Sequence, residues 1–507
     1  MSTSRYMRWF VPSLLLFSSY RTSPLTSFFS NNHNHRFVSS LTSISFNKSR
    51  SKSVGRQELS KMTLASTATN DDLSSVSNFV RSVKQRVVDS NSFGDTKASA
   101  LPHLVMGNEA GDADSILSAI GLSYVRALQN SVDGQNKSDE LIVPIVSIPA
   151  DSLKFLRPET TFLLLNCAGM DNAKDDVNDL IAIDQTDLLP KKATLTLVDH
   201  NFFRGKESYE WTVTKIVDHH LDEGKHLKTC PPSNRKIAFE DTRALVASTT
   251  TLVAEDFYAS AGTSKMPSSL AVLLLGTILL DSVNMSPKAG KGTQRDQTMI
   301  KQLLRNTDWS QITLPDNILV INDDGKKGNA PDPTKLFDKL QSAKFASDFW
   351  NGLTPEQAIR MDLKSFSIPT AIQSSFTSSL GIASILMEMN HFFDLHEDNL
   401  LETLTRVIEE DQSELFGLMF SIFGDGQRRR QLALASYDKP TLDRLINYLT
   451  VDNATTPDLE LEVLHREEVN VGGTGEILYL VRMEQGNVKA SRKQVAPILM
   501  EFFKKHR

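Results

Sequence analysis

The chain has 507 residues, a formal net charge of −6, 40% hydrophobic and 23% charged residues. That is the balance of an ordinary soluble globular protein with room for two or three domains. No run approaches the ~18 apolar residues of a membrane span, and two cysteines, Cys167 and Cys230, exclude a disulfide framework and fit a reducing compartment. Residues 1–57 carry six Arg, two Lys and no Asp or Glu, so without those eight positive charges the remainder stands near −14. A body that acidic lacks the basic footprint of non-specific nucleic-acid binding; neither nucleic acid nor membrane is expected as a partner. A small anionic substrate stays open, because a bound metal ion can dominate the local field.

The first segment, 1–74, is acid-poor, Ser-rich and Arg-bearing, the composition of an organellar transit peptide, so a plastid or mitochondrial location is expected. The apolar stretch from Trp9 to Phe17 is the rival reading as a secretory signal, and Pro12 interrupts it. A start at Met62 would instead leave the protein in the cytoplasm. From residue 75 the pattern is globular. Val76, Phe79, Val80, Val83 and Val87 recur at helical spacing across 75–88, and 115–128 is a second amphipathic helix. Strand-like apolar runs follow at 141–148, 161–166, 180–183, 193–198 and 213–217, with helices at 244–259 and 268–280. Short buried strands alternating with helices predict a parallel α/β sheet. Residues 75–310 are assigned to this first domain and 311–345 to a linker, where the Gly/Pro/Asp-rich 323–333 breaks the pattern. A second α/β domain, 346–507, is predicted with a strand at 366–373, helices around 379–411, strands at 415–422 and 476–483, and a last helix at 494–505.

Four clusters carry the chemistry. Asp112-Ala113-Asp114 opens a helix after an apolar strand; Asp114 sits where a cap belongs, but capping needs one acid and the pair presents two. Val198-Asp199-His200-Asn201 ends the next strand, where ligands collect in open α/β sheets, although an Asx turn accounts for it equally well. Val217-Asp218-His219-His220 repeats the pattern with two imidazoles, and Asp281 closes an apolar helix where its charge opposes the helix dipole. Asp112, Asp114, Asp199, His219 and Asp281 form an oxygen-rich donor set with one or two nitrogens, suited to Mg²⁺ or Mn²⁺. Two such ions can activate a shared water and clamp the oxygens of a scissile phosphate.

Taken in order, N-x-x-x-D-x-D, V-D-H-N, V-D-H-H and L-L-D resemble the DHH phosphoesterase superfamily. Ser491-Arg492-Lys493-Gln494-Val495 and Met361-Asp362-Leu363-Lys364 resemble signatures of its DHHA2 domain. The pairing is that of family II inorganic pyrophosphatases and of the exopolyphosphatase/prune group. Asn108 stands where the pyrophosphatases have His, and so the prune-like group is favoured. The resemblance implies an α/β fold of two domains: a DHH domain with a mainly parallel sheet, and a DHHA2 domain with a mixed sheet. The active site would lie in the cleft between them. It implies two metal ions, one held by Asp112, Asp199 and Asp281 and the other by Asp114, Asp199, Asp281 and His219. Asp199, His219, His220 and Asp281 would be catalytic, and His220, Lys364, Arg492, Lys493 and Asn108 would touch substrate phosphates.

The implied function is hydrolysis of phosphoanhydride bonds: an exopolyphosphatase acting on short inorganic polyphosphate, with pyrophosphate as a further substrate. The alternatives are a nucleotide phosphodiesterase and a regulatory binding protein of low activity; the oligomeric state is left open. Three smaller signals have bland readings. Gly472–Gly475 reads as a tight turn, with a phosphate cradle as the rival, Arg428–Arg430 as a solvated helix face able to attract a long anion, and Lys288–Thr293 as a loop with the wrong glycine spacing for a Walker motif that could still line the site, since it follows Asp281.

Overall fold

The computed structural model describes residues 71–506, apart from 90–100, 133–139, 171–175, 204, 206–208, 242, 262–264, 369–378, 425–426, 452–455 and 472–474. Almost all of the targeting segment expected at 1–74, and three of the four residues of the 472–475 turn, lie outside the described residues.

In the first lobe, α1 (Val76–Asp89) buries the valines and phenylalanine that its spacing predicted. It is followed by β1 (His103–Met106), α2 (Ala113–Val132), β2 (Ile142–Val146), the single turn α3 (Pro158–Thr161), β3 (Ile181–Ala182), β4 (Lys192–Val198), β5 (Glu210–Asp218) and β6 (Arg235–Ile237). A small hairpin of β7 (Phe239–Glu240) and β8 (Arg243–Ala244) precedes α4 (Thr249–Ala261), α5 (Ser268–Asp281) and α6 (Gln294–Arg305). Six strands pair in the order β3-β2-β1-β4-β5-β6, all parallel. β1 and β2 are buried along their whole length, as a sheet covered on both faces requires. The chain winds outward from β1 in one direction, then returns to β4 and winds the other way. The crevice beyond the carboxyl ends of β1 and β4 is therefore a topological switch point, where such sheets collect ligands.

The stretch at 161–166, predicted as a strand, is helical instead. Pro158 starts a turn that runs into a wide helical segment, Phe162–Cys167, with Phe162, Leu163, Leu164 and Cys167 buried in the first core. A short apolar run fits a buried helix as well as a buried strand, and Pro at the first helical position decides it. The segment expected as a linker carries a hairpin, β9 (Leu319–Ile321) with β10 (Lys327–Pro331), and then α7 (Pro333–Lys344), capped by Asp332. Leu336 and Leu340 of α7 are buried in the core of the first lobe.

The second lobe opens with the short helices α8 (Ser347–Asn351) and α9 (Pro355–Arg360). There follow β11 (Leu363–Ser367), β12 (Ser379–Ile385), α10 (Met389–Leu395), α11 (Leu400–Glu410), β13 (Ser413–Gly424), β14 (Gln427–Ser436), α12 (Lys439–Thr450), β15 (Leu461–Asn470), β16 (Ile477–Gln485) and α13 (Arg492–His506). Its sheet runs β11-β12-β13-β14-β16-β15 and is mixed: β12 and β13 are parallel, the other pairs antiparallel. Separate cores cover its two faces, one built with α12 and α13, the other with α8 to α11. Residues 379–385, predicted helical, form β12. Arg428–Arg430, read as a helix face, lie on β14, where Arg430 is buried and Arg429 exposed. No helix among the described residues is long and apolar enough to cross a membrane.

Candidate metal centre

The loop after β1 brings the first acids to the switch point. A Cβ on Gly107 would sit 2.5 Å from the Ser115 carbonyl oxygen, so glycine lets the start of α2 close against the end of β1. Gly111 has φ +55° and faces Ile148, whose Cγ2 would be 2.4 Å from a Cβ there. Asp112, not Asp114, caps α2: Oδ1 of Asp112 accepts the Ser115 N–H at 3.0 Å. Asp114 lies inside the first turn, buried, and caps a different helix. Its carboxylate accepts the backbone N–H groups of Thr249 (2.8 Å) and Thr250 (3.0 Å) and the Ser248 hydroxyl (2.6 Å) at the start of α4.

Asp199 ends β4 with φ +62°, a conformation uncommon for a residue other than glycine and often seen at functional sites. Its Oδ2 accepts Nδ2–H of Asn108 and the hydroxyl of Ser115, both at 2.7 Å, and its Oδ1 lies 3.3 Å from Nε2 of His219. Asn108, expected to touch substrate, is turned inward: Nδ2 is on Asp199 and Oδ1 accepts the Ala110 N–H. From the end of β5, His219 donates Nδ1–H to the Val246 carbonyl (3.1 Å), which turns Nε2 toward Asp199 and to 3.7 Å from Asp114. Asp199, His219 and His220 each offer a ligand atom within 4.8 Å of the others.

Asp218 is fully buried and takes another part. Its Oδ1 accepts the backbone N–H groups of His219 and His220 and Nδ1–H of His220 (2.8 Å), while Oδ2 accepts Nδ2–H of Asn201. It orients the His220 ring and fixes the backbone of both histidines as an outer support. The motif V-D-H-H carries no sign of which of its members binds and which supports, so this role was not legible.

Asp281 is the last residue of α5, and Val283, Asn284 and Met285 then all adopt positive φ, reversing the chain toward Lys291. From the second lobe, Lys364 on β11 and Lys493 on α13 reach the cluster by charge: Lys364 acts on Asp199, and Lys493 on His219. Arg492 is held differently. Its Nη2 donates to Oδ1 of Asp362 at 2.6 Å and its Nη1 to the carbonyls of Asp362 and Ile382. Arg157, from the first lobe and nearly buried, donates Nη2–H to the carbonyls of Ala110 (3.3 Å) and Met361 (2.9 Å) and lies 3.6 Å from Oδ1 of Asp362. One carboxylate thus ties Arg492 to a residue that also grips the loop bearing Asp112. Nothing in the sequence singled out Arg157.

The electrostatics of the cluster follow from burial and crowding. Burial first, then the charges of Asp199 and Asp281, hold the Asp114 carboxyl well above its ordinary value. Asp281 is pushed up to about 6 by burial, with Asp112 adding repulsion. Burial alone would raise Asp199 too, but its hydrogen bond with His219 and the charges of His220, His219 and Lys364 hold it well below the carboxylate range. His219 reaches about 9: burial and Lys493 work against its charge, and Asp199 and Asp114 outweigh them. His220 falls to about 4, chiefly through burial. Two buried carboxylates, Asp114 and Asp199, and two half-buried ones, Asp112 and Asp281, are costly to gather around one imidazole unless cations join them. That donor set fits divalent metal ions.

Two family models match: the N-terminal domain of the DHH family over residues 103–278 and the DHHA2 domain over 338–502. Exopolyphosphatase PRUNE1 of Homo sapiens is 30% identical over 404 residues, covering 79% of this chain and 75% of that protein. Its counterpart in Rattus norvegicus is 28% identical over 404 residues, with the same shares. Among solved structures, a Methanococcus jannaschii protein assigned to the family II inorganic pyrophosphatases matches with a TM-score of 0.47 at 20% identity. The match covers 79% of this chain and 99% of that one. The chain belongs to the DHH phosphoesterase superfamily, in the DHHA2-bearing exopolyphosphatase/prune group. It is a hydrolase of the DHH family, similar in sequence to exopolyphosphatases. Such enzymes generally use divalent metals, for which the acid–histidine cluster is the candidate site here.

Proposed function

We propose that this chain is a metal-dependent exopolyphosphatase that removes terminal phosphate from inorganic polyphosphate, with pyrophosphate as a lesser substrate. The observation that carries the reading is the crowded set of buried Asp114, Asp199 and His219 with half-buried Asp281, in which burial and mutual repulsion hold two of the carboxyls above their ordinary values. Asp112, Asp114, Asp199, Asp281 and His219 would hold two ions, Mg²⁺ or Mn²⁺. Bound ions supply Lewis acidity toward phosphoryl oxygens and lower the pKa of an attacking water.

The chain's own residues do the rest. Val246 fixes the His219 ring so that Nε2 faces the acids, the outer support that metal-binding imidazoles ordinarily have. His220, neutral at pH 7 and donating Nδ1–H to Asp218, keeps a lone pair on Nε2 and can take a proton there. Lys364 and Lys493 place positive charge beside the acids, where phosphate oxygens would lie. Arg492, its planar fork already aligned by Asp362, loses little freedom on meeting a phosphate.

The test is phosphate release by the full chain from pyrophosphate, tripolyphosphate, long polyphosphate, ATP and cyclic AMP with Mg²⁺ or Mn²⁺. Release from tripolyphosphate or longer chains is expected, falling at least ~10³-fold in Asp199→Ala on the scale of losing a principal electrostatic group. Cleavage of nucleotides alone would replace the reading with a phosphodiesterase. Metal binding without turnover would leave a regulatory binding protein.

A further inference from the structure

The two buried acids of the cluster, Asp199 and Asp114, are each gripped mainly on one oxygen. A carboxylate has about four lone-pair positions, two on each oxygen, and in a buried acid protein groups have to fill them. On Asp199 both positions of Oδ2 are taken, by Nδ2–H of Asn108 and the hydroxyl of Ser115, each at 2.7 Å. On Asp114 it is Oδ1 that is crowded. It accepts the Ser248 hydroxyl at 2.6 Å, the Thr250 N–H at 3.0 Å and the Ser118 hydroxyl at 3.2 Å.

The remaining oxygens both turn to His219. Oδ1 of Asp199 lies 3.3 Å from Nε2 of that ring. Oδ2 of Asp114 lies 3.7 Å from the same nitrogen and also accepts the Thr249 N–H at 2.8 Å. The gripping donors come from α2, from the loop before it and from the start of α4. Asn108, Ser115, Ser118, Ser248 and Thr250 are all buried. A buried donor that released its oxygen would be left unpaired, and that costs more than an ordinary hydrogen bond contributes. Neither acid can therefore swing round to offer both oxygens to one point.

Offering one oxygen or two matters to the choice of divalent ion. Ca²⁺ gathers about 6–8 oxygens and often takes a carboxylate by both of its own. Mg²⁺ takes about six at near-octahedral angles and keeps several waters, so one oxygen from a carboxylate is enough. We propose that Ser115 and Ser248 are positioning residues that hold the outer oxygens of Asp199 and Asp114, limit each acid to one oxygen toward a metal ion, and so select Mg²⁺ over Ca²⁺. This rests on the metal-dependent reading above and names what sets ion choice at that site. Neither serine is itself a ligand; each acts through the acid it holds.

The full chain is compared with Ser115→Ala, Ser248→Ala, the double variant and Ser123→Ala, each confirmed folded by circular dichroism. Ser123 also lies on α2, fully buried with its hydroxyl unbonded, and controls for loss of a buried oxygen from that helix. Binding of Mg²⁺ alone and of Ca²⁺ alone is measured by calorimetry, without any substrate. Each single variant should shift the ratio of Ca²⁺ to Mg²⁺ affinity about tenfold toward Ca²⁺, the size of one hydrogen bond to a charged group. The double variant should shift it further, and Ser123→Ala should keep the wild-type ratio. An unchanged ratio in both serine variants, equal losses for the two ions, or the same shift in Ser123→Ala overturns the proposal. Should one serine variant fail to fold, the other carries the test, since each grips a different acid. If the wild-type chain binds Mg²⁺ yet hydrolyses no phosphate chain, the exopolyphosphatase reading fails and the ion ratio still decides the role of the serines. If it binds neither ion, both fall.

Discussion

At the carboxyl edge of the parallel sheet His219 faces Asp199 and Asp114 and is held up to about 9, whereas at the opposite edge His103 lies beside Arg126 and is pushed down to about 3. Burial disfavours the charged ring in both places. At His103 the charges of Arg126 and Lys215 add to burial; at His219 the acids overrule it. The hydrogen bonds differ as well. Nε2 of His103 meets a guanidinium nitrogen of Arg126, so it carries the lone pair, and Nδ1–H donates to the Thr194 hydroxyl at 2.8 Å. Arg126 also donates to Thr196 at 3.0 Å. That end is internally satisfied and needs no ligand. The carboxyl edge has more buried acid than its one imidazole can offset. Depth of burial does not mark a working histidine; the sign of its neighbours does.

The comparison can be broken first at its outer support. Asp218→Asn takes the charge from the acceptor that holds the His220 ring and the backbone N–H groups of both histidines, and Mg²⁺ or Mn²⁺ affinity, read from the metal-induced shift in Tm, should fall 10- to 100-fold, on the order seen for such supports. Affinity equal to wild type would mean that the Val246 carbonyl alone is enough. Next in size, Arg157→Met takes away a partner of Asp362 while Arg492 keeps its own bond. KM for pyrophosphate should rise about tenfold with kcat changing less; a fall in kcat alone would place Arg157 in the chemistry instead.

The smallest effect sharpens the opposite edge. His103 stays neutral in the folded chain down to about 3 but takes a proton near 6.5 when unfolded. Between those values the unfolded state binds the extra proton, so stability rises with pH across that window and is lost as pH falls. His103→Gln should cost about 1 kcal/mol at neutral pH, and the gap from wild type in urea unfolding should narrow as pH is lowered toward about 4. A gap that stays constant would show that His103 ionises no more readily unfolded than folded.

Much of this was legible in the sequence, for reasons that can be stated residue by residue. α1 was readable because Val76 to Val87 alternate with polar residues at a helical period. The acids and imidazoles were readable because each ends an apolar strand or helix or, for Asp112 and Asp114, opens the helix that follows one. β12 was missed because a central strand is apolar on both faces: Leu380, Ile382, Ala383 and Ile385 are all buried and leave no period-2 signal. Arg428–Arg430 misled in the other direction. Three consecutive arginines suggest a solvated surface, yet a strand sends neighbours to opposite faces, so Arg430 is buried and bonds the Val488 carbonyl while Arg429 is exposed. The D-x-D acids were found, but which helix each one caps depends on α4, far along the chain. Arg157 and Asp362 meet only across the two lobes, and no local pattern encodes that.

The loop between β1 and α2 has a consequence for how variation in this chain should be weighed. Its acids are placed by two absent methyl groups: one at Gly107, where a Cβ would meet the Ser115 carbonyl, and one at Gly111, where the backbone is left-handed and Ile148 fills the space. Neither glycine has a side chain to bind anything, so neither would appear on a roster of working residues. Alanine at either is a small change by volume and leaves every acid and imidazole intact. It would nonetheless push the backbone of the loop aside and carry Asp112 and Asp114 with it. In an inherited variant, the gentlest-looking substitution in this loop would act as a lesion of the candidate metal centre.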